Sequence, residues 1–254
     1  MDTLKNKLRA RQVLLGMWIS IPNTYQLEAL ASAGFDWLLI DMEHSPTQLG
    51  DIVPMLQASK SGNSNIIVRP DSHDPIQIKR LLDMGVTNFL FPYVQTEEEA
   101  KCLVQATRYS PEGFRGVAGC TRASEFGRNP DYLANANDEI CLIVQVESAS
   151  AISEIEGIAK IAEIDGIFVG PADLAADMGY LGKPDHPQVR KKVTSALEKI
   201  KKAGKANGLL TFNQPFAQEC IKSNCQLVGI GGDLSLLVQS SQRLLGNFRP
   251  EHSQ

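Results

Sequence analysis

The sequence predicts an α/β fold of the (β/α)₈ TIM-barrel class. Eight short, almost continuously apolar runs recur along the chain, and segments of helical spacing lie between them. Polar residues end nearly every run, rather than only the runs beside one switch point, which favours a closed barrel over a doubly wound open sheet. The length of 254 residues fits one such domain over positions 1–254, with a C-terminal tail from about 247 that reads as disordered or oligomer-facing.

In chain order the runs are 15–21, 37–42, 65–69, 88–92, 142–147, 166–170, 208–212 and 227–231. Most lack polar alternation, as expected of parallel strands covered on both faces. Helical spacing occupies 25–33, 76–84, 97–108, 188–203 and 234–245, and Gly34, Gly85 and Gly204 close three of these segments where a left-handed cap is wanted. Two connections depart from even spacing. Residues 110–139, rich in Gly, Arg and Asn, form one long connection; residues 171–187 form the other. Long connections in compact domains are usually lids or binding loops, and both are expected over the barrel mouth.

A formal net charge of −4, with 43% hydrophobic and 21% charged residues, gives no reason to expect nucleic acid or an anionic membrane as partner. No apolar run approaches the roughly 20 residues that span a bilayer, and the start MDTLKNKLRARQ has no apolar signal core. Five cysteines, an odd number without a C-x-x-C pair, argue against a disulfide framework or a zinc site. The expected location is cytoplasmic.

The active end of such a barrel is formed by the C-terminal ends of its strands. Those ends carry Asp41-Met42-Glu43-His44, Arg69, Gln145-x-Glu147, Gly170-Pro171-Ala172-Asp173, Asn213 and Gly232-Asp233. Asp233 reads best as a helix cap or turn former. Gln145 and Glu147, two apart on a strand, face the same side. A buried-side carboxylate is costly unless paired or metal-bound, so Glu147 and Asp173 read as ligands of a hard cation, Mg²⁺ or Mn²⁺, completed by water and substrate oxygens. His44 is the one strand-end histidine of four and suits a general base; its alternative is to order the turn before Pro46. Arg69 would aim a fixed cation into the mouth, or pair with Asp41 or Glu43. No lysine falls in the eight runs, which disfavours Schiff-base chemistry.

With these residues placed, the sequence resembles the metal-dependent (class II) pyruvate aldolases, specifically the 4-hydroxy-2-oxoheptanedioate and 2-dehydro-3-deoxyglucarate aldolases. The stretches that carry the resemblance are AGFDWLLIDMEH, VRP, DPIQIKRLLDMG, ATRYSPEGFRGV, RAS, LIVQVES and IFVGPADLAADMGY. It implies a barrel of the phosphoenolpyruvate/pyruvate type and a divalent cofactor, Mg²⁺, Mn²⁺ or Co²⁺, on Glu147 and Asp173. It also implies His44 as base, Asp83 as the carboxylate that raises its basicity, and Arg69 as the group stabilising the enolate. Gln145, with the backbone of Ala172 and Asp173, matches the pyruvate-binding positions, and Trp18 matches an aromatic of the pocket wall or core. Arg122 stands in the long loop, where it would meet the aldehyde or pin the loop to a neighbour.

The partners so implied are a small oxo acid, pyruvate and an aldehyde, with the chain in a homohexamer or other homo-oligomer. The expected reaction cleaves a 4-hydroxy-2-oxo acid to pyruvate and an aldehyde. The alternatives are an acyl-CoA lyase of the malyl-CoA or citramalyl-CoA type and a non-catalytic pyruvate-binding protein. Three departures from the family pattern, Met42 for Gly, Ala175 for Ser and a loop about one residue shorter at 118–121, are expected to touch the acceptor side.

Overall fold

The computed structural model describes residues 3–249, and the tail from Pro250, His252 included, lies outside the described residues. Eight parallel strands close into a barrel in sequence order: β1 (Leu14–Ile19), β2 (Trp37–Asp41), β3 (Asn65–Arg69), β4 (Asn88–Phe91), β5 (Cys141–Val146), β6 (Ile164–Val169), β7 (Ala206–Leu210) and β8 (Leu227–Gly232), with β8 pairing back onto β1. A short helix α1 (Leu4–Arg9) precedes the barrel. The intervening helices are α2 (Thr24–Ala31), α3 (Leu49–Ala58), α4 (Pro75–Asp83), α5 (Glu97–Thr107), α6 (Tyr132–Glu139), α7 (Ala149–Ala159), α8 (Pro171–Asp177), α9 (Pro187–Lys202) and α10 (Gln214–Lys222), and α11 (Asp233–Phe248) follows β8.

Local chemistry sets the helix ends. Asp74 accepts from the Ile76 amide at 3.0 Å, and Pro75 opens α4 at a position whose N–H would go unused anyway. His186 and Pro187 open α9 in the same way, and Lys199, Lys201 and Lys202 crowd its last turn, where the helix dipole favours cations. Gly34, Gly85 and Gly204 have φ of 99°, 91° and 88°, the left-handed caps the sequence predicted.

Alternation along the strands makes two cores. Trp18, Trp37, Leu39, Ile67, Leu90, Ile143 and Phe168 fill the barrel interior, with Leu4 and Leu8 of α1 joining them. Met17, Leu38, Ile40, Val68, Phe89, Val144 and Val169 face outward and pack against the helices. Each fully buried side chain of this kind stabilises the fold by about 1.5–3 kcal/mol. The same alternation corrects two expectations. Met42, one residue past inward-facing Asp41, lies in the outer layer at 4% exposure, and Ala175 is buried there too. Both side chains pack into that outer layer rather than facing the space at the mouth.

The long connection also needs correction. It runs from the end of α5 to the start of β5, so it belongs to the N-terminal end of the barrel, opposite the mouth. The Ala123 amide donates to the carbonyl of Asp83 at the end of α4, and the Cys141 amide donates to the Thr87 carbonyl just before β4. Its last 8 residues are helical as α6 rather than irregular. Residues 171–187 do follow a strand and lie at the mouth, as expected, and their first part forms α8.

Candidate active site at the barrel mouth

Period-two alternation delivers the polar residues to one place. The positions that point inward as Leu39, Ile67 and Ile143 continue as Asp41, Arg69, Gln145 and Glu147, so the apolar interior is capped by charge. Arg69 is the hub. Its Nε and Nη2 donate to the two carboxylate oxygens of Asp41 at 2.8 and 2.7 Å, a bidentate pair. Its Nη1 lies 3.1 Å from Glu43 Oε2 and 3.5 Å from Gln145 Oε1. Below it the Trp18 ring centres 5.6 Å from the guanidinium carbon. The neighbouring carboxylates, Asp41 first, hold the Arg69 pKa above its usual value despite desolvation. Removing one partner of so buried a pair costs about 3–5 kcal/mol.

Glu147 is pinned at both oxygens. Gln145 Nε2 donates to Oε2 at 2.6 Å, and the Tyr93 amide donates to Oε1 at 2.9 Å. Tyr93 reaches that position with φ 49°, a left-handed conformation unusual for a bulky residue. Gly170 closes the other side, and a Cβ there would collide with Glu147 Oε2 and Gln145 Nε2. Burial, and next the carboxylate of Asp173, push the Glu147 pKa up to about 8. Glu43 is raised too, chiefly by burial, against the pull of Arg69 and His44.

His44 sits at the rim with its side chain 67% exposed, open to a ligand, and its Nε2 is 3.7 Å from Glu43 Oε2. Asp41 Oδ1 accepts from the Glu43 amide at 3.1 Å and weakly from the His44 amide at 3.4 Å, so one carboxylate orders both Arg69 and the turn that carries the imidazole. Asp173 and Ala172 are exposed in the first turn of α8, where backbone amides have no intrahelical acceptor. Trp18 is 5% exposed and stacked among Trp37 and Phe168, a core residue whose edge reaches the mouth. Beside it opens a cavity of about 410 Å³ walled by Leu210, Phe212, Leu234 and Val238, a size suited to a small molecule.

Two predicted site residues are not brought here within one chain. Asp83 ends α4, which runs back from the mouth, and its carboxylate pairs with Arg115 at 2.9 Å at the opposite end of the barrel. Arg122 lies beside it, donating to the Met84 carbonyl. Other polar positions have structural work. Asp233 accepts from the Ser20, Ile21 and Leu234 amides and from Gln26, Asn213 caps α10, and His73 lies against the Pro92 carbonyl at 2.6 Å. Among the described residues no lysine lies in a strand. Among the described residues, no group of three or more His, Cys, Asp or Glu side chains surrounds a common metal position.

Residues 14–240 match the HpcH/HpaI aldolase/citrate lyase family. The chain belongs to that family. It is 46% identical over 244 residues to a pyruvate aldolase of Rhizobium etli, covering 96% of each chain. It is 43% identical over 251 residues to a 4-hydroxy-2-oxo-heptane-1,7-dioate aldolase of Salmonella paratyphi C, covering 98% of this chain and 95% of that one. A crystal structure of a family member from Burkholderia cenocepacia superposes with a TM-score of 0.94 at 39% identity, covering 98% of this chain and all of that one. The chain is therefore an aldolase of a carbon–carbon lyase family, acting on small molecules. No helix among the described residues is long and apolar enough to cross a membrane.

Sequence reasoning missed two contributors to this aldolase's site. The Tyr93 amide is a backbone donor, for which a side-chain pattern carries no signal. Asp41 reads in the sequence as a partner of Arg69; its hold on the Glu43 and His44 amides follows from the turn, which the D-x-E-H spacing does encode.

Proposed function

We propose that this aldolase reversibly cleaves a 4-hydroxy-2-oxo acid, such as 4-hydroxy-2-oxoheptanedioate or 2-dehydro-3-deoxyglucarate, to pyruvate and an aldehyde. The carrying observation is the buried Glu147 carboxylate, raised to about 8 by its surroundings and by Asp173, beside Gln145 and Arg69. Two neighbouring carboxylates, one of them buried, fit a divalent cation, whose charge would offset both, and Mg²⁺, Mn²⁺ or Co²⁺ suits an all-oxygen site. When bound, such a cation supplies a Lewis acid for an α-oxo acid.

The chain's own groups do the rest. Gln145 and the free amides of Ala172 and Asp173 bind the pyruvyl end of the substrate. His44 takes the 4-hydroxyl proton, directly or through water, and the C3–C4 bond breaks to release the aldehyde. The electron pair remains as the pyruvate enolate, and Arg69, fixed by Asp41, meets the developing charge. Protonation of C3 completes pyruvate.

Asp83 and Arg122 enter this scheme only through another copy of the chain, because each sits at the wrong end of its own barrel. Helix α11 supports assembly. It buries only Asp233, while Leu234, Leu237, Val238, Leu244, Leu245 and Phe248 form an exposed stripe at helical spacing. A homo-oligomer, a hexamer by family resemblance, would cover that stripe and bring Asp83 of one chain to His44 of the next. The free cysteines suit a reducing cytoplasm. A CoA thioester draws no support from Arg115, whose side chain is wholly enclosed.

Incubation of pyruvate and Mg²⁺ with a panel of aldehydes tests the reading. Pyruvate consumption that EDTA abolishes is expected. Consumption that persists in EDTA, or none with any aldehyde, overturns it.

A further inference from the structure

At the N-terminal end of the barrel an arginine is buried at unusual cost. The Arg115 side chain is 0% exposed, while its partner Asp83 is 24% exposed. Arg115 Nη2 donates to Asp83 Oδ1 at 2.9 Å and to the Tyr132 hydroxyl at 3.0 Å. The guanidinium lies over Tyr109, 4.3 Å from the ring centre, with the Tyr132 ring 5.9 Å away. Its Nε and Nη1 have no acceptor, and neither does the Tyr109 hydroxyl. Desolvating a guanidinium and leaving two of its nitrogens unpartnered is strongly unfavourable.

Packing of the connection does not require that charge. The Arg115 amide already donates to the Arg108 carbonyl, and the Phe114 amide to that of Gln105, so the backbone is pinned independently of the side chain. An unbranched apolar side chain would fill the space between the two tyrosines without desolvation. What Arg115 alone supplies is a fixed donor and cation on one oxygen of Asp83. The other oxygen, Oδ2, accepts no hydrogen bond among the described residues, and the carboxylate stays partly open to the outside.

We infer that Arg115 is a positioning residue, tethering Asp83 by one oxygen so that the other can meet the His44 imidazole of a second copy of the chain. The inference rests on the reading of Asp83 given under the proposed function. A carboxylate that orients a histidine must present a lone pair in a fixed direction, and a side chain at a helix end does so only when something rigid holds it. Arg115, enclosed against the Tyr109 ring and bonded to the Tyr132 hydroxyl, is held in one place. Tyr109, Tyr132 and Arg122 lie around the pair, Lys79 and Arg80 stand on α4 itself, and Lys60, Glu125, Arg128 and Glu139 line the cavity that Arg115 and Tyr132 share. Burial pushes the Tyr109 hydroxyl up to about 12, so at neutral pH it adds no second anion.

The test uses the full-length, assembled enzyme and compares Asp83→Asn, Arg115→Met, Arg115→Lys, Tyr132→Phe and the double variant Asp83→Asn/Arg115→Met. kcat, KM for the oxo acid and the acid limb of the kcat/KM profile are measured, with assembly checked by size. Asp83→Asn is expected to lower kcat roughly 10- to 100-fold and to move the acid limb to lower pH, since a histidine without its carboxylate is less basic. Arg115→Met is expected to lower kcat about tenfold with KM within about twofold, and to move the limb the same way. The double variant should be no worse than Asp83→Asn alone, because a tether has nothing left to hold.

Arg115→Lys should recover part of the loss, and Tyr132→Phe should cost about twofold. If Arg115→Met fails to assemble, the limb displacement in the two milder variants decides, and its absence from both overturns the inference. So does an assembled Arg115→Met enzyme with unchanged kcat and limb, or losses that multiply in the double variant. An unchanged kcat in Asp83→Asn overturns the reading of Asp83 itself, and the tether with it.

Discussion

The two ends of this barrel both bury charge, and they do so differently. At the mouth, Glu147 is held among Gln145, Gly170 and the Tyr93 amide with another carboxylate nearby, and its pKa is pushed up to about 8. At the N-terminal end Lys5, 8% exposed, donates to the carbonyls of Asp138 and Ile140 at 2.8 and 2.9 Å and stands 4.0 Å from Asp165. Lys5 is matched there by two carbonyls and an opposite charge. At the mouth like charges are gathered around space a ligand can enter. Buried charge alone is no sign of chemistry; uncompensated charge at an accessible strand end is. Even cavity size misleads, for about 680 Å³ opens at the N-terminal end between α3, α4 and the long connection, on the side away from Glu147.

The strongest way to break that contrast is to remove charge from each end. Asp173→Ala is expected to abolish metal and pyruvate binding together, with turnover falling to assay background, as read by calorimetry and by a pyruvate-coupled assay. Lys5→Met should leave kcat unchanged and reduce stability by about 1–3 kcal/mol in chemical denaturation, since it leaves the Asp138 and Ile140 carbonyls without their donor. A large loss of kcat in Lys5→Met would erase the distinction. So would inactivation by borohydride in the presence of pyruvate, because Lys5 is a buried lysine whose pKa is lowered by burial, one property that imine chemistry needs.

His44→Ala comes next in size. Its proposed work is proton transfer, so kcat should fall on the order of 10²–10⁴-fold while calorimetry still detects pyruvate and metal. Near-normal turnover would move the base to Glu43, whose carboxylate shares the turn.

These contrasts also explain what was legible in the sequence. All eight strands were, because runs buried on both faces have no polar interruptions. Arg69, Gln145 and Glu147 were too, because strand alternation fixes which side each faces; for Asp41 it gives the pairing with Arg69 but not the hold on the Glu43 and His44 amides. The same rule would have turned Met42 outward, had it been carried one residue past Asp41. Length and composition point residues 110–139 to the mouth, although a segment that follows a helix and precedes a strand belongs to the other end. Asp83 shares that fate, and the partner it implies lies beyond a single chain. Helix α11 was visible as a helix, but its bare apolar stripe cannot be told from a buried one by periodicity.

A smaller effect lies in pH. Free Glu147 has a raised pKa, so between about pH 4.5 and 8 the folded state holds more protons there than the unfolded state, and stability falls as pH rises through that window. Glu147→Gln removes the penalty. In EDTA the melting temperature of Glu147→Gln should overtake that of the parent as pH is raised from 5 to 8.5, by on the order of 5 °C. Saturating Mg²⁺ should reverse the order, because the ion stabilises only the parent. A gap that stays constant with pH would mean that Glu147 is ionised throughout.

The smallest expected effect belongs to Arg122. Its guanidinium donates to the Met84 carbonyl, in a loop whose Ser124 hydroxyl also bridges the Gly119 and Thr121 carbonyls, so the loop is built before any partner arrives. Docked on another chain's mouth, such a loop would touch the aldehyde half of the substrate and leave the enolate half alone. Arg122→Ala, or one residue added within 118–121, should therefore reorder a panel of aldehydes by a few-fold in kcat/KM. Oxaloacetate decarboxylation forms the same enolate with no aldehyde present, so it should persist within about an order of magnitude. Both activities are measured on the same variant at matched assembly state. Parallel collapse would mean that the loop holds the mouth together rather than reading the acceptor, and the N-terminal end would then be a structural support of the partner's site.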